Sequence, residues 1–120
     1  MNFDPSLFIN VAKELNSTAK TEESYRSVVN RAYYGAFGYL KNKLNIADYG
    51  PSSHQTLIDC FRVSFDREQR IIGKKLEALF ENRRHADYKY NIEFKGHSSQ
   101  YCIEEAEKII EMFNKLNKAI

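Results

Sequence analysis

The sequence lacks the features that mark several common protein classes. It has only two cysteines, Cys60 and Cys102, each within an apolar pattern and without the spacing of metal ligands, which favours reduced, buried thiols. No apolar run approaches the length of a membrane span. The N-terminus has no basic segment before an apolar stretch, as a secretion signal would have. We therefore expect a cytoplasmic protein.

Several catalytic motifs are also missing. There is no glycine-rich phosphate loop, no nucleophile elbow and no paired-carboxylate motif. His54, His85 and His97 are too scattered to be metal ligands on one helix. The sequence therefore predicts no metal and no cofactor.

The composition is that of an ordinary globular domain. Apolar residues make up 42% of the chain and charged residues 28%, and 120 residues fit one domain, which we place at 1–120. The net charge is only +2, but residues 62–90 carry a local excess of +3. This excess is compatible with a phosphate backbone as partner without requiring one.

One long central helix organises the predicted fold. From Thr21 to Leu44, apolar residues recur at steps of three and four, which gives a continuous stripe at helical period. Gly35 and Gly38 interrupt this stretch, and each costs about 1 kcal/mol relative to alanine in a helix interior. We therefore expect another helix or a ligand to approach the backbone closely there.

Four further helices are predicted around the central one. Their boundaries follow from caps and turn residues: a first helix opened by Asp4-Pro5 and ended by Asn16-Ser17-Thr18, a turn over Asn45–Pro51, a third helix capped by Ser52 or Ser53, a fourth from an Asp66/Gln69 capping box to Tyr88, and a last one from Ser98 or Ser99. No segment shows sustained strand alternation. The predicted fold is all-α, an up-and-down four-helix bundle with an additional short helix.

Two interpretations stay open for the set Arg26, Arg31, Tyr33 and Tyr34, of which Arg31 and Tyr34 flank the central apolar stripe. They are either the boundary of an amphipathic helix, or a cation beside aromatic rings that suits phosphate and base contacts.

The segment from Arg83 to Tyr88 is the second candidate site. Its spacing directs Arg83 toward the packed face of the fourth helix, where a cation needs a specific partner. On one interpretation Arg83 only pairs with Asp87, one helical turn on. On the other, Arg83 and Arg84 clamp a phosphate, and His85 or Tyr88 donates a proton. His54 and His97, near helix starts, are by position alone solvated or cap-bonded.

With these residues in view, the chain resembles the HEPN superfamily (higher eukaryotes and prokaryotes nucleotide-binding), in its short single-domain prokaryotic branch. Four pieces in order carry the resemblance: an aromatic signature over 31–37, His54 with Leu57 and Phe61, an Arg-x-x-Ala-Asp-Tyr signature over 83–88, and the small residue Ala106. The resemblance implies a helical bundle that pairs as a homodimer and binds RNA or nucleotides. It further implies a toxin–antitoxin or phage-defence setting, beside a minimal nucleotidyltransferase antitoxin or another defence protein.

Many HEPN toxins are metal-independent ribonucleases with an arginine followed, after four to six residues, by a histidine. No arginine stands at that distance before any histidine of this chain. Our first hypothesis is therefore an RNA- or nucleotide-binding homodimer whose site consists of Arg31, Tyr34, His54, Arg83, Arg84, Asp87 and Tyr88. The second is a divergent ribonuclease with Arg83, His85 and Tyr88 as catalytic residues, and the third is a non-catalytic adaptor that holds another protein.

Overall fold

The computed structural model describes residues 3–46, 50 and 52–118, and all regular structure in these ranges is helical. The helices are α1 (Leu7–Thr18), α2 (Glu22–Lys43), α3 (Ser52–Arg62), α4 (Arg67–Tyr88) and α5 (Gly96–Lys118). The prediction of an all-α bundle is confirmed. None of the helices in the described ranges combines the length and the hydrophobicity needed to cross a lipid bilayer.

Helix α2 is the centre of the bundle, with α1, α4 and α5 packed against it and α3 packed on α4. Its buried stripe includes Val28, Ala32, Tyr33, Ala36 and Leu40, all fully shielded from solvent. The other four helices add buried apolar side chains to the same cluster. The stripe that the sequence predicts is therefore the face on which the other helices pack.

The two glycines of α2 lie where α1 approaches. A Cβ at Gly35 would stand 2.4 Å from Cγ1 and 3.1 Å from the backbone N of Ile9. A Cβ at Gly38 would stand 2.6 Å from Cβ of Pro5. The predicted close approach of another helix is confirmed, and the approaching segment is the start of α1.

Several helix boundaries differ from the prediction. Ser6, not Asp4, is the residue that precedes α1, because the Asp4 carboxylate accepts from the Ser6 N–H at 3.0 Å and so stabilises the preceding turn. Helix α5 begins at Gly96, before Ser98 and Ser99, because the N–H groups of both serines already donate to the Lys95 carbonyl.

The predicted capping box of α4 is only half present. Asp66 accepts from the Glu68 N–H at 3.0 Å, as a cap should. The Asp66 N–H, however, donates to Ser64 Oγ, and the Gln69 side chain accepts from that same hydroxyl. Ser64 therefore takes the position that a capping box would give to Gln69.

The predicted turn over Asn45–Pro51 lies partly outside the described residues. Within them, Asn45 has φ of 53° and Gly50 has φ of 73°, both in the left-handed region that turns use. The cysteines differ from each other: Cys102 is buried as predicted, but the prediction for Cys60 is wrong, because its side chain is exposed on α3.

Candidate functional site

A cavity of 520 Å³ between α2, α3 and the second half of α4 collects most of the predicted site residues. We call it the Arg83 cavity. Of the predicted residues it is lined by Tyr34, His54, Arg83, Arg84 and Tyr88. Three helices that are far apart in sequence thus bring a histidine, two arginines and two tyrosines to one surface depression.

Arg83 is the buried cation of this cavity. Its exposed fraction is 8%, and its guanidinium carbon lies 5.5 Å from the ring centroid of Tyr34 and 5.3 Å from that of Phe80. These distances are within the range of cation–π attraction. Among the described residues, no acceptor hydrogen-bonds to its buried Nε. A buried guanidinium N–H without a partner is unfavourable unless a bound group satisfies it.

Asp87 orients Arg83 from the next turn of α4. Arg83 Nη1 donates to the Asp87 carboxylate at 3.3 Å, so the pairing expected from the i, i+4 spacing is present. The Asn30 amide of α2 donates to both oxygens of the same carboxylate, at 3.1 and 3.3 Å. Asp87 therefore links α2 to α4 and holds one side of the Arg83 guanidinium.

Tyr33 orients His54. The Tyr33 hydroxyl lies 2.6 Å from Nδ1 of His54, and the imidazole stacks on Phe37 and Phe80 with ring centroids 4.2 and 5.2 Å away. Burial raises the pKa of the Tyr33 hydroxyl above its ordinary value, so the hydroxyl remains protonated and can donate. When it donates to a neutral imidazole, the ring proton is on Nε2. His54 is thus part of an aromatic cluster, unlike the solvated or cap-bonded side chain that its position predicts.

Arg84 and Tyr88 form the outer part of the cavity. Arg84 is half exposed, donates to Glu81 at 3.2 Å and lies with its guanidinium carbon 5.8 Å from the Phe80 ring. Tyr88 is 68% exposed, so its ring and hydroxyl are accessible to a bound molecule. Both residues can contact a ligand without desolvating a buried group.

Three predicted residues lie outside the lining of the Arg83 cavity: Arg31, His85 and Asp87. The His85 ring is directed toward Glu81, with 3.9 Å between Nε2 and the carboxylate. Arg31 lies over the Phe8 ring of α1 at 5.4 Å and lines a separate cavity of 360 Å³ together with Asp87. Residues two positions apart are about 200° apart around a helix, so the side chains of Arg83 and His85 diverge.

Arg26 supports the site from α2. Its guanidinium donates to the backbone carbonyls of His85 and Ala86 at 3.1 and 2.9 Å, and also to those of Lys89 and Ile92. The Ala86 carbonyl lies in the last turn of α4, where no later helical turn supplies a donor. The His85 carbonyl also accepts from the Lys89 N–H at 2.9 Å. The sequence marked Arg26 as part of an aromatic–basic set, but its role as a C-terminal cap depends on the packing of α2 against α4.

Five lining residues were not among the predicted site residues: Phe37, Lys41, Gly50, Ser53 and Phe80. Phe37 and Lys41 follow Tyr34 by three and seven residues, so all three lie on one face of α2. This spacing could have identified Phe37 and Lys41 as lining residues. In the part of the chain that the structure describes, no group of three His, Cys, Asp or Glu side chains could hold a metal ion.

Comparisons with known proteins identify the family. The sequence model of the HEPN domain matches residues 8–116. A protein of Thermotoga maritima named UPF0332 protein is 28% identical over 97 residues, which cover 78% of this chain and 74% of that protein. No solved structure matches the chain significantly.

Proposed function

The chain belongs to the HEPN family, and we propose that it binds single-stranded RNA or a nucleotide through the Arg83 cavity. One observation carries the proposal: Arg83, nearly buried and with an Nε–H that has no partner among the described residues, lines a cavity with other cations and aromatic rings. Phosphate oxygens are the acceptors that such a group prefers.

The charges and rings of the cavity suit this ligand. Lys41 and Arg84 add two cations to Arg83, and the described lining contains no carboxylate. Tyr34, Phe37 and Phe80 add aromatic surface beside these cations. A basic surface with aromatic rings is the combination by which proteins hold single-stranded nucleic acids.

The biological setting forms a further part of the proposal. From the family resemblance we propose a homodimer that acts in a toxin–antitoxin or phage-defence system, with a minimal nucleotidyltransferase or another defence protein as partner. Sedimentation equilibrium tests the dimer: we expect twice the mass of one chain at micromolar concentrations, whereas a single-chain mass at every concentration would contradict it.

The binding proposal is tested by fluorescence anisotropy with a labelled single-stranded RNA at several salt concentrations. We expect the double variant Arg83→Ala with Arg84→Ala to lose at least about tenfold in affinity, since it removes two charge-assisted contacts. The slope of log affinity against log salt should also become shallower by about 1.4, which corresponds to two lost phosphate contacts on a single strand.

The matched control is Arg67→Ala with Lys74→Ala. Both side chains are exposed on α4 and lie outside the Arg83 cavity, and the control removes the same charge from the same helix. It should retain nearly the full affinity. Equal losses in the two double variants would mean that net charge, not this cavity, determines binding, and no binding by wild type would reject the function.

A second candidate function, metal-independent RNA cleavage, is favoured by the position of His54. The family's arginine–histidine spacing is absent from the sequence, yet His54 and Arg83 line the same cavity. Such cleavage needs a group that transfers a proton and a cation beside the phosphate, and an imidazole and a guanidinium suit these two roles. The sequence-based choice of His85 as the proton donor is the alternative within this candidate.

Incubation of the protein with RNA in EDTA separates these possibilities. Cleavage that is lost in His54→Ala and kept in His85→Ala assigns the chemistry to the Arg83 cavity, and the reverse assigns it to His85. RNA that stays intact at high protein concentration would reject cleavage and leave RNA binding as the proposed function. The adaptor hypothesis would be favoured instead by a partner protein that binds equally well with or without the arginines of the cavity.

A further inference from the structure

A second depression lies beside the Arg83 cavity, between the start of α1 and the C-terminal half of α2. It has a volume of 580 Å³, and we call it the Phe8 groove after the residue in its wall. Its principal lining residues are Phe3, Phe8, Tyr34, Phe37, Asn42 and Asn45. The aromatic signature of the resemblance includes Tyr34 and Phe37 of this surface, but Phe3 and Phe8 precede the signature and Asn42 and Asn45 follow it.

The groove and the Arg83 cavity adjoin each other. Tyr34, Phe37 and Lys41 line both depressions, so one small molecule or one strand can contact both at once. Lys41 is the one charged side chain in the described lining of the groove. The described lining of the groove contains no carboxylate. A ligand with a negative group in the Arg83 cavity can therefore extend into the groove without repulsion from that lining.

The close approach of α1 to α2 creates this groove. Because Gly38 has no side chain, Pro5 packs directly against the α2 backbone, and both residues line the groove. Phe3 and Phe8 are in contact with a centroid distance of 5.2 Å, and Phe3 is 58% exposed. The aromatic wall is thus formed by two rings in contact and is accessible from solvent.

The polar groups of the groove are amides. Asn42 and Asn45 are both exposed, and no side chain or backbone group in residues 3–46, 50 and 52–118 hydrogen-bonds to their side-chain amides. An amide presents a donor and an acceptor together, which matches the polar edge of a nucleobase. Aromatic walls match the flat apolar face of the same base.

We propose that the Phe8 groove receives one base of the bound RNA or nucleotide, while the adjoining phosphate occupies the Arg83 cavity. Tyr34 and Lys41 then lie between the base and the phosphate. This inference rests on the proposed function and specifies it: the ligand is recognised by a base as well as by its charge. A segment of another protein could also enter an apolar groove, but it would not account for the three residues that the groove shares with a cavity lined by three cations.

The test compares two ligands of equal charge: a short adenosine oligoribonucleotide and an abasic ribose-phosphate oligomer of the same length. We expect wild type to bind the oligomer with bases about tenfold more tightly, since stacking on aromatic side chains contributes gains of this order. The groove variant Phe3→Leu with Asn42→Leu should remove this preference. Its affinity for the abasic oligomer should equal that of wild type, which also reports that the variant is folded.

The matched control is Phe65→Leu with Asn91→Leu, which makes the same two substitutions at exposed positions outside the groove. It should keep the full preference. Persistence of the preference in the groove variant would overturn the inference, because the base would then be bound elsewhere.

The experiment gives different results when only the base subsite is wrong and when the whole binding function is wrong. If wild type binds both oligomers equally and both need Arg83 and Arg84, the phosphate site stands and the base subsite is rejected, with a protein side chain as the remaining occupant. If neither oligomer binds, the proposed function and this inference are rejected together.

Discussion

At the scale of single residues, the bundle buries three polar or titratable side chains, two of them at or beside the Arg83 cavity. Arg83 is a cation, Tyr33 a hydroxyl and Cys102 a thiol, and all three are almost fully shielded from water. Each has a consequence that can be measured. For Arg83 the consequence is an Nε–H that lacks an acceptor among the described residues. For Tyr33 and Cys102 it is a raised pKa.

The first prediction concerns Cys102 and alkaline pH. Burial, with a contribution from the nearby Glu105 carboxylate, raises the pKa of the Cys102 thiol from 9.0 to about 12. Because the folded-state pKa is the higher one, the stability it contributes is complete below about pH 9 and is lost as the pH rises toward 12. This single group should lower the free energy of unfolding by about 1 kcal/mol per pH unit in that window.

Urea unfolding between pH 9 and 11 measures the effect. In Cys102→Ala the loss of stability per pH unit should be smaller than in wild type by about that amount, whatever the cost of the substitution itself. Cys60→Ala, which removes the exposed thiol, should keep the wild-type slope. Equal slopes for wild type and both variants would mean that Cys102 is not shielded from water.

At the scale of helices, the bundle depends on close approaches that only glycine permits. Gly35→Ala would place a Cβ 2.4 Å from a side-chain atom of Ile9 and 3.1 Å from its backbone N. Alanine improves helix propensity by about 1 kcal/mol, but the displacement of α1 should exceed that gain. We therefore expect a net destabilisation of about 1–3 kcal/mol in urea unfolding.

Ser27→Ala is the control for Gly35→Ala, because Ser27 is exposed on the same helix. Its stability should change by less than about 0.5 kcal/mol. An unchanged or increased stability of Gly35→Ala would show that α1 does not press against the α2 backbone at that point.

The end of α4 provides a second prediction at this scale. Arg26→Ala removes the donors to four carbonyls at and just after the end of α4, so this end should fray. Hydrogen exchange should become faster for the amides of residues 84–92, while the buried centre of α2 keeps its protection. RNA affinity should fall as well, since Arg83 and Arg84 lie on the affected turns.

Arg31→Ala is the matched control for this experiment. It removes a neighbouring cation of α2 whose guanidinium lies over the Phe8 ring of α1. Exchange in 84–92 should remain as in wild type. If Arg26→Ala leaves exchange in this segment unchanged, the end of α4 is stabilised by other contacts.

At the scale of the whole molecule, the sequence predicted the packing faces better than the side-chain pairs. The helical stripe of α2 and the inward direction of Arg83 follow from spacing along one helix, and both are present. The coupling of Tyr33 to His54 joins residues on different helices, so no local pattern could reveal it. The same holds for Arg31, whose guanidinium turns to Phe8 of α1 and away from the cavity that its neighbour Tyr34 lines.

The most direct measurement of the central claim is the side-chain NMR signal of the Arg83 Nε–H. In wild-type protein titrated with single-stranded RNA, we expect this signal to shift progressively, because a phosphate oxygen becomes the acceptor that the buried N–H lacks. The corresponding signal of Arg67, exposed at the start of the same helix, should stay in place. RNA that moves signals elsewhere on the protein and leaves Arg83 Nε–H unchanged at saturation would contradict the assignment of this cavity.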